Sequence, residues 1–320
     1  MSDRPSKPDK GKILVLGIMF WYPLAGVTYQ FLHYLIGLRR LGYDPYYIED
    51  AEHYVYDPRI DAVSPDADYN VECVAPILEA HGFAGKWAFR GGYEGGKCYG
   101  LSEQEILDLY RDADALLNVT GAHHLREEQL ACPRRIYLET DPVAEQVKVA
   151  RGDVEVIERL AAHDMLFSFG ENLGAPDCGV PIERFTWHPT RQPVVLDLWQ
   201  SSNDVRTASY TTIATWRNEG KDITYEGETY HWSKHLEFLK VIELPHMRRV
   251  QFELAAGIDG EDLALLHRNG WHQRSSMSVS KDPDAYRSYI QQSRAEFTVA
   301  KDQNVRLRSG WFSDRSACYL

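Results

Sequence analysis

Between Lys12 and Phe20 the chain reads Lys-Ile-Leu-Val-Leu-Gly-Ile-Met-Phe, a continuous run rich in β-formers with no polar-apolar alternation. A strand covered on both faces tolerates that pattern, as a central strand of a parallel sheet is. The next stretch changes period. Val27, Phe31, Leu35, Leu38 and Leu41 recur at helical spacing, Arg39 and Arg40 fall in the last turn, and Gly42 supplies the stop. Tyr46-Tyr47-Ile48-Glu49-Asp50 then reads as a second strand ending in carboxylates. The chain therefore opens with a right-handed β-α-β unit.

The alternation continues. Ser102 and Glu105 form a capping box ahead of Ile106, Leu107 and Tyr110, and Ala115–Val119 reads as a strand ending at Thr120-Gly121. Strands are expected at Arg135–Glu139 and Met165–Phe169, separated by a helix from Val143 to Ala162. Strands alternating with helices predict a doubly wound, Rossmann-like α/β domain. At Trp187-His188-Pro189-Thr190-Arg191-Gln192-Pro193 the pattern becomes a proline-bounded connector, after which α/β alternation restarts. Strands are expected at Tyr210–Trp216, Val250–Leu254, near Met277 and at Glu296–Lys301, with helices at Lys234–Ile242, Asp262–His267 and Asp284–Ser293. The expected organisation is a disordered tail over 1–11, a first domain over 12–187 and a second over 188–320, facing across a cleft. No glycine, proline or basic cap follows Leu320, so the second domain is expected to be C-terminally truncated.

No apolar run approaches the roughly 18 residues of a membrane span, and the polar opening lacks a secretory core. A cytoplasmic protein without an integral membrane segment is expected. A formal charge of −12 argues against nucleic-acid partners, which select a basic face. The charge reverses locally. Arg294–Leu320 carries five basic residues (Arg294, Lys301, Arg306, Arg308, Arg315) and three acidic ones (Glu296, Asp302, Asp314). That pattern suits one anionic ligand or a solvated mixed-charge loop, and both readings stand. The five cysteines lie far apart with no C-x-x-C pair, which fits reduced structural thiols.

Gly91–Cys98 nearly matches a phosphate loop, but Cys98 stands where the magnesium-binding hydroxyl belongs and the next helix starts only after Ser102. It reads better as a glycine-rich turn. No G-x-G-x-x-G follows the first strand, although Gly26 offers close ligand approach at the first helix. His123-His124 lack metal-site spacing, and Ser168 lacks a nucleophile elbow. Glu139-Thr140-Asp141-Pro142 puts two carboxylates directly after an apolar strand. Glu139 or Asp141 then serves as a base or hydroxyl orienter, or Thr140 or Asp141 caps the following helix with Pro142 at its start. In the terminal loop Ser309 and Gly310 are candidates to turn backbone N–H groups toward a diphosphate, with Lys301, Arg308 or Arg315 supplying charge. Asp314 caps the helix or meets a ribose hydroxyl. The competing reading is a plain loop-to-helix turn with Trp311 and Phe312 in the core.

Several blocks together resemble a bacterial group of GT-B glycosyltransferases (family 1/4-like). They are Gly17–Gly26 with its helix, Tyr47–Asp50, Thr140-Asp141-Pro142, Phe167–Asn172, Pro189–Val195, Ala295-Glu296-Phe297 and, most specific, Ser309–Leu320. The resemblance implies an N-terminal acceptor domain and a C-terminal nucleotide-sugar domain. By analogy Ser309, Gly310, Trp311, Phe312, Ser313, Asp314 and Arg315 border the donor, and Lys234 is a phosphate candidate. The E-x7-E signature of many retaining members is absent, with Gly310 and Cys318 near the corresponding places. The expected activity is metal-independent sugar transfer from a nucleoside-diphosphate sugar to an unknown acceptor hydroxyl, with no cofactor. A nucleotide-sugar 2-epimerase, or a non-catalytic nucleotide- or glycan-binding module, is the alternative.

Overall fold

The computed structural model describes residues 10–50, 54–91, 97–200, 207–218 and 220–320. Its first half is built from β1 (Lys12–Leu16), α1 (Ala25–Arg40), β2 (Asp44–Glu49), β3 (Val55–Asp57), β4 (Ala62–Ser64), α2 (Asp68–Ala80), β5 (Trp87–Arg90), β6 (Cys98–Gly100), α3 (Glu103–Asp112), β7 (Ala115–Val119), α4 (Glu127–Leu130), β8 (Arg135–Glu139), α5 (Ala144–Ala150), α6 (Val154–Ala161), β9 (Met165–Ser168) and β10 (Trp187–Pro189). Eight of these strands form one sheet in the order β10-β9-β8-β7-β1-β2-β5-β6, parallel except for β6. β1 is central, and Leu14, Val15 and Leu16 are fully buried, as its unalternating sequence requires.

After a 3-10 turn at Leu196–Trp199 come β11 (Ser209–Ile213), β12 (Ile223–Tyr225), β13 (Glu228–Tyr230), α7 (His235–Leu239), α8 (Leu244–Met247), β14 (Gln251–Ala255), α9 (Gly260–Arg268), β15 (His272–Arg274), α10 (Met277–Ser280), α11 (Pro283–Gln292), β16 (Ala295–Glu296), α12 (Asp302–Arg306) and α13 (Asp314–Tyr319). β15-β14-β11-β16 form a parallel four-stranded sheet, while β12 and β13 make a separate hairpin. In both sheets strand order reverses beside the first strand of that half, between β1 and β7 and between β11 and β16. Such reversals open a crevice at the strands' carboxyl ends.

Several elements differ from the sequence expectation for identifiable reasons. The helix expected over Val143–Ala162 is two helices, because Gly152 turns left-handed (φ 79°) and the Asp153 carboxylate accepts from the Val156 N–H to start a new one. No strand forms at Met277. The strand is β15 at His272–Arg274, an edge position whose exposed polar side chains carry no apolar signal. β16 is limited to Ala295-Glu296, and the chain then leaves the sheet toward Lys301. Trp187–Pro189, expected as connector, extends the first sheet beside β9. Residues 1–9 of the expected 1–11 tail, and residues 92–96 of the glycine-rich turn, lie outside the described residues. Of that turn's flank, Lys97 pairs with Asp68 at 2.9 Å. Among the described residues no helix is long and apolar enough to cross a membrane.

The halves share apolar packing at two places. On α1, the Tyr29 ring lies 5.9 Å from Tyr286 of α11 and 4.8 Å from Trp199, and its hydroxyl donates to the Pro283 carbonyl. Farther along, Val143 and Val147 pack with Ile223 of the hairpin and Leu307. Each large side chain buried this way contributes about 1.5–3 kcal/mol.

Candidate functional site

β8 runs straight into the junction. Beyond its last residue, the Thr140 carbonyl accepts from the Trp311 indole N–H at 2.8 Å, and Asp141 Oδ2 accepts from both the Trp232 indole and the Lys301 ammonium. Trp232 follows the hairpin and Lys301 precedes α12, so one strand end of the first sheet is tied to three segments of the second half. The Lys301 ammonium also sits 3.9 Å from the centre of the Trp232 ring, a cation-π contact.

Beside this junction, at the carboxyl end of β11, lies a cavity of ≈ 210 Å3. Ala214 and Thr215, just past β11, form its floor; Trp232 and Trp311 are aromatic walls, and Lys234, Lys301 and Arg315 bring positive charge. It occupies the crevice where strand order reverses. Two of the three cations are balanced. Arg315 donates to Glu296 Oε1 at 2.7 Å, to the Ile213 carbonyl and to Thr298 Oγ1 at 3.3 Å, and Lys301 pairs with Asp141.

Lys234 is not balanced. It is 6% exposed, its ammonium donates to Thr298 Oγ1 at 3.3 Å, and among the described residues no carboxylate pairs with it. Burial, then the Arg315 charge, pushes its pKa well below the ordinary lysine value. Lys301 is lowered too, mainly by burial and against the pull of Asp141. An unpaired buried ammonium is costly, and a ligand anion would offset that cost.

The terminal segment divides into residues that face the cavity and residues that hold the loop. Trp311, Ser313 and Arg315 face it. Ser309 does not: its N–H donates to the Asn304 carbonyl, its hydroxyl to Asn304 Oδ1, and its carbonyl accepts from Asn172. The expected amide-presenting role of Ser309 is thereby corrected to a structural one. Gly310 is there for the close crossing with the 170–179 loop: at φ 75°, a Cβ would lie 2.6 Å from the Asn172 nitrogen. Gly310→Ala is expected to cost about 1–3 kcal/mol in denaturant unfolding, with an unchanged midpoint counting against this. Arg308 is corrected as well, since its side chain is 65% exposed and reaches Asp177 at 3.8 Å. Phe312 is half exposed and supplies its carbonyl to Gln192.

Glu139 is also corrected. It points into the protein, accepting from Ser168 Oγ at 2.7 Å and Gln146 Nε2 at 2.6 Å, and burial raises its pKa to about 8. Strand alternation would put Glu139 and Asp141, two apart, on one face; they part because β8 ends at Glu139 and Asp141 lies beyond it. Gly26 does not open toward a ligand; a Cβ there would lie 3.3 Å from the Tyr286 hydroxyl. Trp232 and Thr298 are the participants that sequence reasoning missed. A hairpin signal was available, two short β-rich segments around Glu226-Gly227, and it would have placed Trp232 just beyond. Among the described residues no three His, Cys, Asp or Glu side chains converge as a metal site.

No protein-family model matches the chain, and no curated protein sequence matches it either. Among solved structures, it is similar to an alpha-glucosyltransferase in complex with UDP (10% identity, 91% of this chain, 74% of that chain, TM-score 0.47). It is similar to an alpha-glucosyltransferase in complex with UDP and a 13-mer DNA containing an A:G mismatch (11%, 91%, 72%, 0.46). A glycotransferase of kitacinnamycin matches at 11% identity over 97% of this chain and 98% of that one, with a TM-score of 0.26. TM-scores below 0.5 identify neither a fold family nor an activity for this chain.

Proposed function

We propose that this protein transfers a sugar from a nucleoside-diphosphate sugar to an acceptor hydroxyl, with Lys234, Lys301 and Arg315 holding the diphosphate. The carrying observation is the buried Lys234 ammonium, unpaired and facing a cavity at a strand-order reversal. As the bond between sugar and diphosphate breaks, negative charge grows on the phosphate oxygens, and fixed cations in a water-poor site stabilise that charge. Arg315 is held rigid by Glu296, Ile213 and Thr298, so it needs no reorganisation as the charge develops. In this reading the side-chain cations supply the stabilisation without a metal, the second half carries the donor and the first half the acceptor. A ≈ 210 Å3 cavity suits the diphosphate with part of its neighbours, so base and sugar extend along the junction. The five free thiols fit a reducing, cytoplasmic setting.

The test is a thermal-shift and calorimetric screen against UDP, GDP, ADP and dTDP, followed by their sugars. One nucleoside diphosphate is expected to bind and, at a hundredfold excess over Kd, to stabilise by about 2.7 kcal/mol. No shift with any of them at millimolar concentration defeats the reading. Conversion of a donor without acceptor points instead to an epimerase, and binding without turnover to a binding module. Binding is also expected to take up protons, because an anion beside Lys234 restores its lowered pKa. Affinity therefore weakens as pH rises toward the ordinary lysine range near ~10.4. Titration in buffers of different ionisation enthalpy reads this directly, and proton release on binding contradicts it.

A further inference from the structure

A second cavity, of ≈ 230 Å3, lies between one face of the second sheet and the end of α11, and among the described residues it shares no lining side chain with the first. The two faces of that sheet differ. Tyr210, Phe252 and Leu254 pack on one of them against Phe238, Leu266 and Trp271. On the other, Ile213 and Ala255 join the apolar junction at the carboxyl end, but two residues earlier Thr211 and its register partner Glu253 open a polar gap beneath Tyr289 and Ser293. A covered sheet face is ordinarily apolar, so the polar gap is the informative exception.

The floor of the gap is satisfied by the protein itself. Thr211 Oγ1 and Ser293 Oγ are hydrogen-bonded at 2.6 Å, the Tyr319 hydroxyl joins Thr211 at 2.9 Å, and Ser293 Oγ donates to the Tyr289 carbonyl. The rim is not satisfied. Arg274 Nε donates to Glu253 Oε1 at 3.1 Å, but among the described residues the two terminal nitrogens of Arg274, the second oxygen of Glu253 and the Gln292 amide make no hydrogen bond. The Tyr289 hydroxyl lies near Glu253 without completing a hydrogen bond of ordinary geometry. Water reaches this rim, since the Arg274 and Glu253 side chains are 51% and 20% exposed. Asp314 is the contrast: its unmet Oδ1, at the start of α13, is sealed inside the protein and lines neither cavity.

We propose that this second cavity binds one neutral polyhydroxy ligand of monosaccharide size. The proposal goes beyond the transfer reading and does not rest on it. Charge decides the ligand class. The guanidinium and the carboxylate of the rim pair with each other, so an anion would face Glu253 and a cation Arg274, each at the cost of breaking that pair. A sugar hydroxyl both donates and accepts. Adjacent hydroxyls therefore donate to the second Glu253 oxygen while accepting from Arg274, Gln292 and Tyr289, which leaves the pair intact and gives the unmet groups partners. Size sets the limit, because the cavity falls short of the about 300–1,000 Å3 of a drug-sized site and takes one ring and not a chain.

The experiment titrates the full chain with glucose, galactose, mannose and N-acetylglucosamine, read by saturation-transfer NMR, with glucuronate, glucosamine and glycine as charged and zwitterionic counterparts. At least one neutral sugar is expected to bind with a Kd of about 0.1–5 mM, the range for a small ligand in an open polar site. Arg274→Met removes the terminal nitrogens and Gln292→Trp fills the mouth, and each is expected to weaken that binding about tenfold or more. Lys234→Met alters only the first cavity and is expected to leave it within about twofold. The two rim variants act by different means, so a folding defect in one, seen by circular dichroism, leaves the other to decide. The proposal is overturned if no neutral sugar binds at about 20 mM, several times the expected Kd. It is equally overturned if a folded rim variant binds as tightly as the parent, if Lys234→Met abolishes the binding, or if a charged or zwitterionic counterpart binds more tightly than every neutral sugar.

Discussion

Lys234→Met is expected to weaken nucleoside-diphosphate binding by about 2–4 kcal/mol, thirtyfold to a thousandfold, while making the ligand-free protein more stable. Both effects come from one feature. The ammonium is buried among Thr298, Trp311 and two other cations, with no carboxylate of its own. Methionine has nearly the same shape and no charge, so the free protein is relieved of about 1–3 kcal/mol of unmet desolvation. The bound protein loses a charge-assisted contact. pH dependence separates this from simple repacking. Because the folded-state pKa of Lys234 is depressed, the unfolded chain binds more protons, and stability rises as pH climbs toward the ordinary lysine value. The methionine variant should lose that slope. Calorimetry and urea unfolding at two pH values suffice, and a variant that binds normally and is destabilised would refute the assignment.

Arg315→Ala is expected to be the most destabilising single change in the site, at about 3–5 kcal/mol, with turnover falling at least a hundredfold. Arg315 and Glu296 side chains are 14% and 10% exposed, and the guanidinium also satisfies the Ile213 carbonyl at the end of β11. Deleting it strands a carboxylate and a carbonyl together. Lysine is no substitute, because a single ammonium cannot reproduce the planar fork that meets Glu296, Ile213 and Thr298 at once. Pairing Arg315→Met with Glu296→Leu should recover most of the stability and none of the activity. If the double variant is no more stable than Arg315→Ala, the cost lies in packing and not in the stranded charge.

Periodicity made the scaffold readable. β7 and β8 fall where their apolar runs place them, and the Ser102–Glu105 capping box forms as written. Buried strands and capped helices are local statements, so local sequence carries them. What failed was decided by tertiary placement. β15 is polar because it is an edge strand, and Ser309 and Arg308 turned out to anchor the loop because the 170–179 segment crosses there. Lys234 and Trp232 come together with Lys301 only through the hairpin's path, about seventy residues ahead in the chain. The terminal loop drew attention through its glycine and basic residues. The unpaired lysine carries more of the site, and nothing in its immediate sequence marks it as unpaired.

The shared packing between Tyr29, Trp199 and Tyr286 also limits how the protein can be dissected. A fragment ending at the connector would keep its eight-stranded sheet but uncover the aromatic flank of α1, and a fragment starting there would uncover Tyr286 and Ile290. Either piece would present to water a surface that the intact chain never shows, inviting self-association. The aromatic packing on α1, away from the Lys234 cavity, therefore makes the two sheets depend on each other for solubility.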